Sequence, residues 1–177
     1  MRGLVIRHAA PGDAAGLVAL ARAVAAEPEG WLLTAATWRS VADERRYLRS
    51  VGRSSDAAVL AAVTEAGAVV GRLSIARDSH PASLHVADLG IMVAARWRRR
   101  GLGRALMEAA EQWARSVGIA KLQLHVFPHN TAAIALYEEL GYEREGLRRA
   151  HFVRDGEPVD VVLMALVLDG RRAVSGL

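Results

Sequence analysis

The chain has 177 residues, 52% of them apolar and 24% charged, with a formal net charge of +4. Those proportions suit one globular domain over residues 1–177 with a core of useful size. The absence of cysteine excludes disulfides, thiolate metal sites and a thiol nucleophile, and no apolar run is long enough to cross a bilayer.

Residues 4–7 read as a short first strand. Pro11-Gly12-Asp13 is a turn, and Asp13 is a candidate cap for a helix carrying Leu17, Leu20, Ala21 and Val24. Glu27-Pro28-Glu29-Gly30 ends that helix. A second helix is expected from Thr37 toward Val51, with Trp38, Val41, Arg45 and Leu48 at helical spacing. Residues 57–63 and 68–76 predict two strands joined around Glu65-Ala66-Gly67. Residues 78–83 form a loop, and residues 86–94 a strand. A long amphipathic helix follows from Gly101 to Gly118, carrying Leu102, Leu106, Ala110 and Trp113. Residues 121–127 alternate as a strand. Pro128-His129-Asn130 breaks it, and Asn130 or Thr131 caps a helix over 132–140. Strands over 142–152 and 159–168 flank the turn Arg154-Asp155-Gly156-Glu157, and residues 169–177 read as a loose tail. The pattern is α+β with a mixed sheet.

The most informative stretch is Arg98-Arg99-Arg100-Gly101-Leu102-Gly103, after the strand-like Leu89-Gly90-Ile91-Met92-Val93. A strand that breaks into a glycine turn and then a helix N-terminus suits an anion, because the first helical N–H groups have no internal partner and the dipole favours negative charge. Gly101 and Gly103 admit close approach, and the arginines offer forks for phosphate oxygens. A plain strand–helix turn with solvated arginines carries the same letters. A dinucleotide fingerprint fails because Leu106 stands where a third small residue is needed, and no Gly-Lys-Ser/Thr forms a phosphate loop. Asn130 and Tyr137 lie two turns apart on one helix face; singly, they read as a cap and a core aromatic.

Together these residues resemble the GCN5-related N-acetyltransferase superfamily. Residues 98–103 match its (Gln/Arg)-x-x-Gly-x-(Gly/Ala) motif, and Asn130 through Tyr142 match its N-x-x-A-x-x-L-Y-x-x-x-G-F segment, with Tyr142 in place of phenylalanine. The likeness is strong over residues 89–142. Over residues 148–166, Asp155-Gly156, Asp160 and Leu163-Met164-Ala165-Leu166 are similar to the ribosomal-protein N-terminal acetyltransferase branch. The resemblance implies a three-layer α+β fold with a mixed, mostly antiparallel central sheet flanked by helices. It implies acetyl-CoA as co-substrate. Ile91, Met92 and Val93 would pair with the pantetheine arm, and Arg98, Arg99, Arg100, Gly101, Leu102, Gly103 and Arg104 would hold the pyrophosphate, largely through backbone amides. Asn130 would contact the pantetheine side, and Tyr137 would sit near the thioester sulfur.

Amine attack on a thioester needs a neutral amine, a donor for the oxyanion and a proton for the leaving thiolate. A backbone N–H near Val93 suits the second need and the Tyr137 hydroxyl the third. In the ribosomal branch a glutamate five residues before the asparagine acts as base. Here that position is His125, a candidate base or water-positioner whose alternative is a strand histidine satisfied by hydrogen bonds, with Asp88 as a second candidate base. Without cysteine, transfer is direct within a ternary complex. Glu27, Glu29, Trp31, Asp155, Glu157 and Asp160 lie where this fold receives the acceptor, and solvated carboxylates are the alternative for most of them. No metal is assigned. His125 and His129 are separated by a proline, and no H-E-x-x-H or carboxylate cluster joins them.

The expected activity is N-acetylation of a primary amine on a small molecule or peptide. A non-catalytic acyl-CoA-binding module is the alternative, and a nucleic-acid-binding domain using residues 96–104 ranks last. The first residues, Met1-Arg2-Gly3-Leu4-Val5-Ile6-Arg7, are too soon charged for a signal peptide, so the cytoplasm is the default compartment, with no membrane partner. Proteins of this pattern are often homodimers.

Overall fold

A computed structural model describes residues 3–32, 38–154 and 156–168. The expected start of the second helix at Thr37, the turn residue Asp155 and the tail 169–177 lie outside the described residues. The chain divides into two compact units, one of Met1–Ala76 with Gly90–Ala110 and one of Arg77–Leu89 with Glu111–Leu177.

The first unit holds strands β1 (Leu4–His8), β2 (Ala57–Thr64) and β3 (Val69–Arg77, its last residue falling in the second unit), with helices α1 (Ala14–Ala25) and α2 (Val41–Val51). β2 is antiparallel to both β1 and β3, with a register shift at Ala62/Val63. Val59 joins Ala14, Leu17 and Leu48 in one apolar cluster. Leu20, Ala21 and Val24 of α1 form a second cluster with Met92. Asp13 does not cap α1 through its side chain. Its carboxylate accepts the Ala10 N–H at 2.7 Å and forks onto Arg7, closing the turn Pro11–Asp13 instead. The Arg7 guanidinium, through that hydrogen bond, holds the Asp13 carboxyl below its ordinary value.

α2 begins at Val41, because Ser40 Oγ accepts the Asp43 N–H at 3.1 Å and Asp43 and Glu44 follow in the first turn. Its inward face is Val41, Glu44 and Leu48, whereas Arg45, expected on that face, is exposed. Helix α3 (Leu102–Ser116) begins in the first unit and ends in the second. In the first unit it lies so close to β3 that a Cβ on Gly71 would stand 2.9 Å from Leu106 Cδ1.

The second unit contains β5 (Lys121–Val126), α4 (Thr131–Glu139), β6 (Glu143–Arg154) and β7 (Glu157–Val167), with the first residues of β4 (Val86–Val93). Its strand order is β4-β5-β7-β6. β5 is parallel to β4 and antiparallel to β7, so the sheet is mixed. Leu122, Leu124 and Val126 are buried, while Lys121, Gln123 and His125 lie half-buried on the opposite face. Gly118, at φ +73°, closes α3. β6 and β7 form the final hairpin, with register shifts at Arg144/Gly146 and Arg148/Phe152.

Tyr142 replaces the family's phenylalanine and is 2% exposed. Its ring lies 5.9 Å from that of Tyr137, and its buried hydroxyl finds no hydrogen-bond partner. A buried donor left unpaired costs about 1–3 kcal/mol. Tyr142→Phe is therefore expected to raise the unfolding free energy by about 1–2 kcal/mol. Urea denaturation checks this; a lower midpoint would show that the hydroxyl is satisfied.

Candidate active site

The glycine turn leaves β4 through a short turn at Ala95–Trp97, and the next residues set its shape. Arg99 has φ +58° and Gly101 φ +81°. Two left-handed residues in a short span fold the backbone back on itself, and at Arg99 a side chain accepts a conformation that glycine adopts more easily. The Ala105 N–H donates to the Gly101 carbonyl at 3.1 Å, the first bond of α3. The N–H groups of Leu102 and Gly103 precede that bond, and the positive end of the dipole lies with them. Such a turn binds an anion.

Arg98 has a different role from the one its place in the motif suggests. Its N–H donates to the Ala95 carbonyl, its Nε to the Val93 carbonyl at 2.9 Å, and its two terminal nitrogens to the Glu27 carboxylate at 2.6 and 2.8 Å. Its donors hold the turn in place and do not face a phosphate. Arg99 and Arg100 are exposed, and Arg104 is half-buried. The Arg100 guanidinium lies 5.7 Å from the Trp97 ring centre. On β4, the Met92 side chain packs inward on α1, and Ile91 and Val93 are half-buried.

The second unit carries the other expected residues. Asn130 caps α4, its Oδ1 accepting the Ala133 N–H at 3.2 Å. Tyr137, two turns on, is 6% exposed, and burial pushes its phenol well above its ordinary pKa. The hydroxyl therefore stays protonated throughout the working range and is a donor. His125 pairs with Leu163 of β7. Its ring stands 5.6 Å from that of His151 and 6.1 Å from that of Phe152, and its buried Nε2 has no hydrogen-bond partner. Burial pushes its pKa below the ordinary 6.5; Arg148 and His151 push the same way and Asp88 opposes them. Asp88 accepts a 3.0 Å hydrogen bond from Gln123 Nε2.

The acidic residues expected around an acceptor are only partly available. Glu27 is bound to Arg98. Asp160 accepts the Ala150 N–H at 2.7 Å, and Ala150 has φ +48°. Asp160 thus holds the β6 bulge that sets His151 beside His125. Glu157 is exposed at the start of β7. Trp31 packs against the cluster of Leu20, Ala21, Val24 and Met92. No group of three potential metal ligands occurs among the described residues. No helix among them is long and apolar enough to cross a membrane.

Sequence reasoning missed a buried charge cluster in the first unit. Glu44 is fully buried and Arg72 is 5% exposed. Arg72 Nη2 lies 3.5 Å from Glu44 Oε1, and Arg39 Nη1 lies 3.3 Å from Oε2. The spacing of Val41, Glu44 and Leu48 was the available clue.

Residues 24–142 match the acetyltransferase (GNAT) family. The chain belongs to that family. Acetyl transfer is the activity the GNAT family and its named relatives share. The chain is 34% identical to the L-amino acid N-acetyltransferase AaaT of Escherichia coli K12 over 171 residues, 94% of this chain and 99% of AaaT. It is 41% identical to the ribosomal protein bS18-alanine N-acetyltransferase of the same strain over 70 residues, 40% of this chain and 47% of that one. A GNAT acetyltransferase structure from Streptococcus pneumoniae matches with a TM-score of 0.80 at 31% identity, covering 93% of this chain and 99% of that one. The phosphinothricin acetyltransferase of Sinorhizobium meliloti, solved with acetyl-CoA, shares the fold at TM-score 0.83 and 20% identity, covering 99% and 94%.

The Arg98–Glu27 fork is partly buried, with the side chains 33% and 19% exposed. Glu27→Ala is expected to lower the unfolding free energy by about 1–2 kcal/mol, since the fork keeps charge-assisted bonds but some solvent screening. Thermal or urea denaturation measures it, and an unchanged midpoint would show that the turn holds without the carboxylate.

Proposed function

We propose that the protein transfers the acetyl group of acetyl-CoA directly to a primary amine in a ternary complex. The observation that carries this reading is the turn ahead of α3, with Arg99 and Gly101 left-handed and the amides of Leu102 and Gly103 ahead of the Ala105–Gly101 bond. A diphosphate is the ligand such a turn suits. The Arg99 and Arg100 side chains supply charge beside it, and Arg98 serves by holding the turn. Ile91, Met92 and Val93 pair along the pantetheine arm, and Asn130 contacts that arm, roles that follow from the family motifs.

Tyr137 gives its proton to the departing thiolate, a role its buried, protonated phenol supports. A backbone N–H near Val93 stabilises the oxyanion. His125 takes the amine proton directly or through water, and its lowered pKa keeps it unprotonated near neutral pH. The chain contains no cysteine, so no acyl-cysteine intermediate forms. The relative that spans nearly the whole chain acts on L-amino acids, which makes them the first acceptors to try. The shorter match to a ribosomal-protein acetyltransferase makes peptide N-termini the second.

Calorimetric titration with coenzyme A and thiol release across amino acids, peptides and polyamines test the reading. Binding and release are expected together. Binding without release from any amine would identify a non-catalytic module, and no binding would remove the proposal. Tyr137→Phe is expected to lower kcat by about 10²–10⁴-fold, the usual worth of a positioned acid; a rate within a factor of two of wild type would exclude Tyr137 from that role. For His125 the sign follows from its shift. Its pKa lies below 6.5, so activity is lost as pH falls below that value and the imidazole protonates. His125→Ala is expected to lower the rate and abolish this limb of the kcat/KM profile; the same rate and profile would eliminate it as base.

A further inference from the structure

Arg72 Nε and Trp38 Nε1 are buried donors of the first unit with no hydrogen-bond partner. They belong to one stack, with the Arg72 guanidinium carbon 5.0 Å from the Trp38 ring centre. Glu44 does not satisfy either. Its Oε1 lies 3.5 Å from a different Arg72 nitrogen, an ion pair without a hydrogen bond to Nε. The cluster also holds more positive than negative charge, since Arg39 and Arg72 both pair with the single carboxylate of Glu44. Glu44 Oε1 also lacks a hydrogen bond, so two unpaired donors face one unpaired carboxylate oxygen already shared as an ion-pair partner, and the remaining donor and the surplus positive charge call for an anionic acceptor.

The backbone places this stack beside the reaction strand. The Ala94 N–H donates to the Val70 carbonyl at 2.9 Å, and the Ser74 hydroxyl lies 3.4 Å from the Gly90 carbonyl. A Cβ on Gly90 would meet Ser74 Oγ at 3.6 Å, so these two positions share a face. With 70 beside 94 and 74 beside 90, Arg72 stands opposite Met92 on that same face. Trp38 packs against the cluster that contains Met92.

We propose that Arg72 and Trp38 form a carboxylate subsite for an α-amino acid acceptor, with the Arg72 Nε–H and Trp38 Nε1–H donating to its oxygens. The planar guanidinium, stacked on the indole and backed by Glu44, is pre-organised for that task. The subsite selects acceptors that carry a carboxylate. This inference rests on the acetyl-transfer reading and assigns the acceptor end of the same site.

The test compares the best acceptor among the standard L-amino acids with the amine that lacks only its carboxylate. The ratio of their kcat/KM values is measured for wild type, Trp38→Phe and Arg72→Lys. Trp38→Phe keeps the ring and removes one N–H, so it reads the contact even if the Arg72 variant fails to fold. The ratio is expected to fall about tenfold or more in Trp38→Phe, through KM. A ratio within twofold of wild type would overturn the proposal, whatever the absolute rates. Wild-type turnover of carboxylate-free amines but of no amino acid would overturn it and leave acetyl transfer standing. If wild type acetylates nothing, acetyl transfer falls. Calorimetry of L-amino acids with the coenzyme A-saturated protein then decides the subsite. Binding weakened about tenfold in Trp38→Phe supports it, and no heat from any amino acid, or equal affinity in the variant, overturns it.

Discussion

The guanidinium of Arg98 is the constraint on which the cofactor end depends. It grips the carboxylate that follows α1 with two nitrogens and the end of β4 with a third. Residue 27 and the stretch 93–98, distant in sequence, are thereby tied together at one turn. The left-handed residues Arg99 and Gly101 set the course of the backbone into Leu102 and Gly103. A preformed ring of donors loses little freedom on meeting its ligand. The arginine that opens the family motif here binds Glu27 and the Val93 carbonyl, while Arg99 and Arg100 are exposed.

In the second unit one physical cause sets two opposite protonation states. Burial penalises the charged form of any group. For Tyr137 the charged form is the phenolate, so the phenol keeps its proton. For His125 the charged form is the imidazolium, so the ring is held without one. Desolvation is the largest cause of both states, and at His125 the charge of Arg148 and the neighbouring His151 add to it. Asp88 opposes the effect at His125 without reversing it.

The regular elements were legible where local chemistry decides them. The alternation of β5, the Asn130 cap and the glycine after α3 all appear where spacing and capping rules put them. The two motifs were legible as well, because phosphate-binding turns and capped helices leave local letters. Contacts distant in sequence were not. Nothing beside Asp13 announces that its carboxylate closes a turn with Arg7, and nothing beside Arg98 announces Glu27. The same holds for Glu44 and Arg72. A charge at an apolar helical position reads locally as an interruption, and it becomes interpretable only when strand β3 brings its counter-ion. The Ala150 bulge is a further case, since the anchoring Asp160 lies on the other strand of the hairpin.

The irregular course of β6 also bears on how the molecule behaves among its own copies. β6 is the last strand of the order β4-β5-β7-β6, so among the described residues one of its backbone edges has no strand beside it. Two slips of register against β7 bend the strand, and Arg148 and Arg149 are exposed along it. A straight, uncharged border of the same length would template strand addition from another chain. Bends and exposed charges of the kind β6 carries are the features by which a sheet edge disfavours such addition.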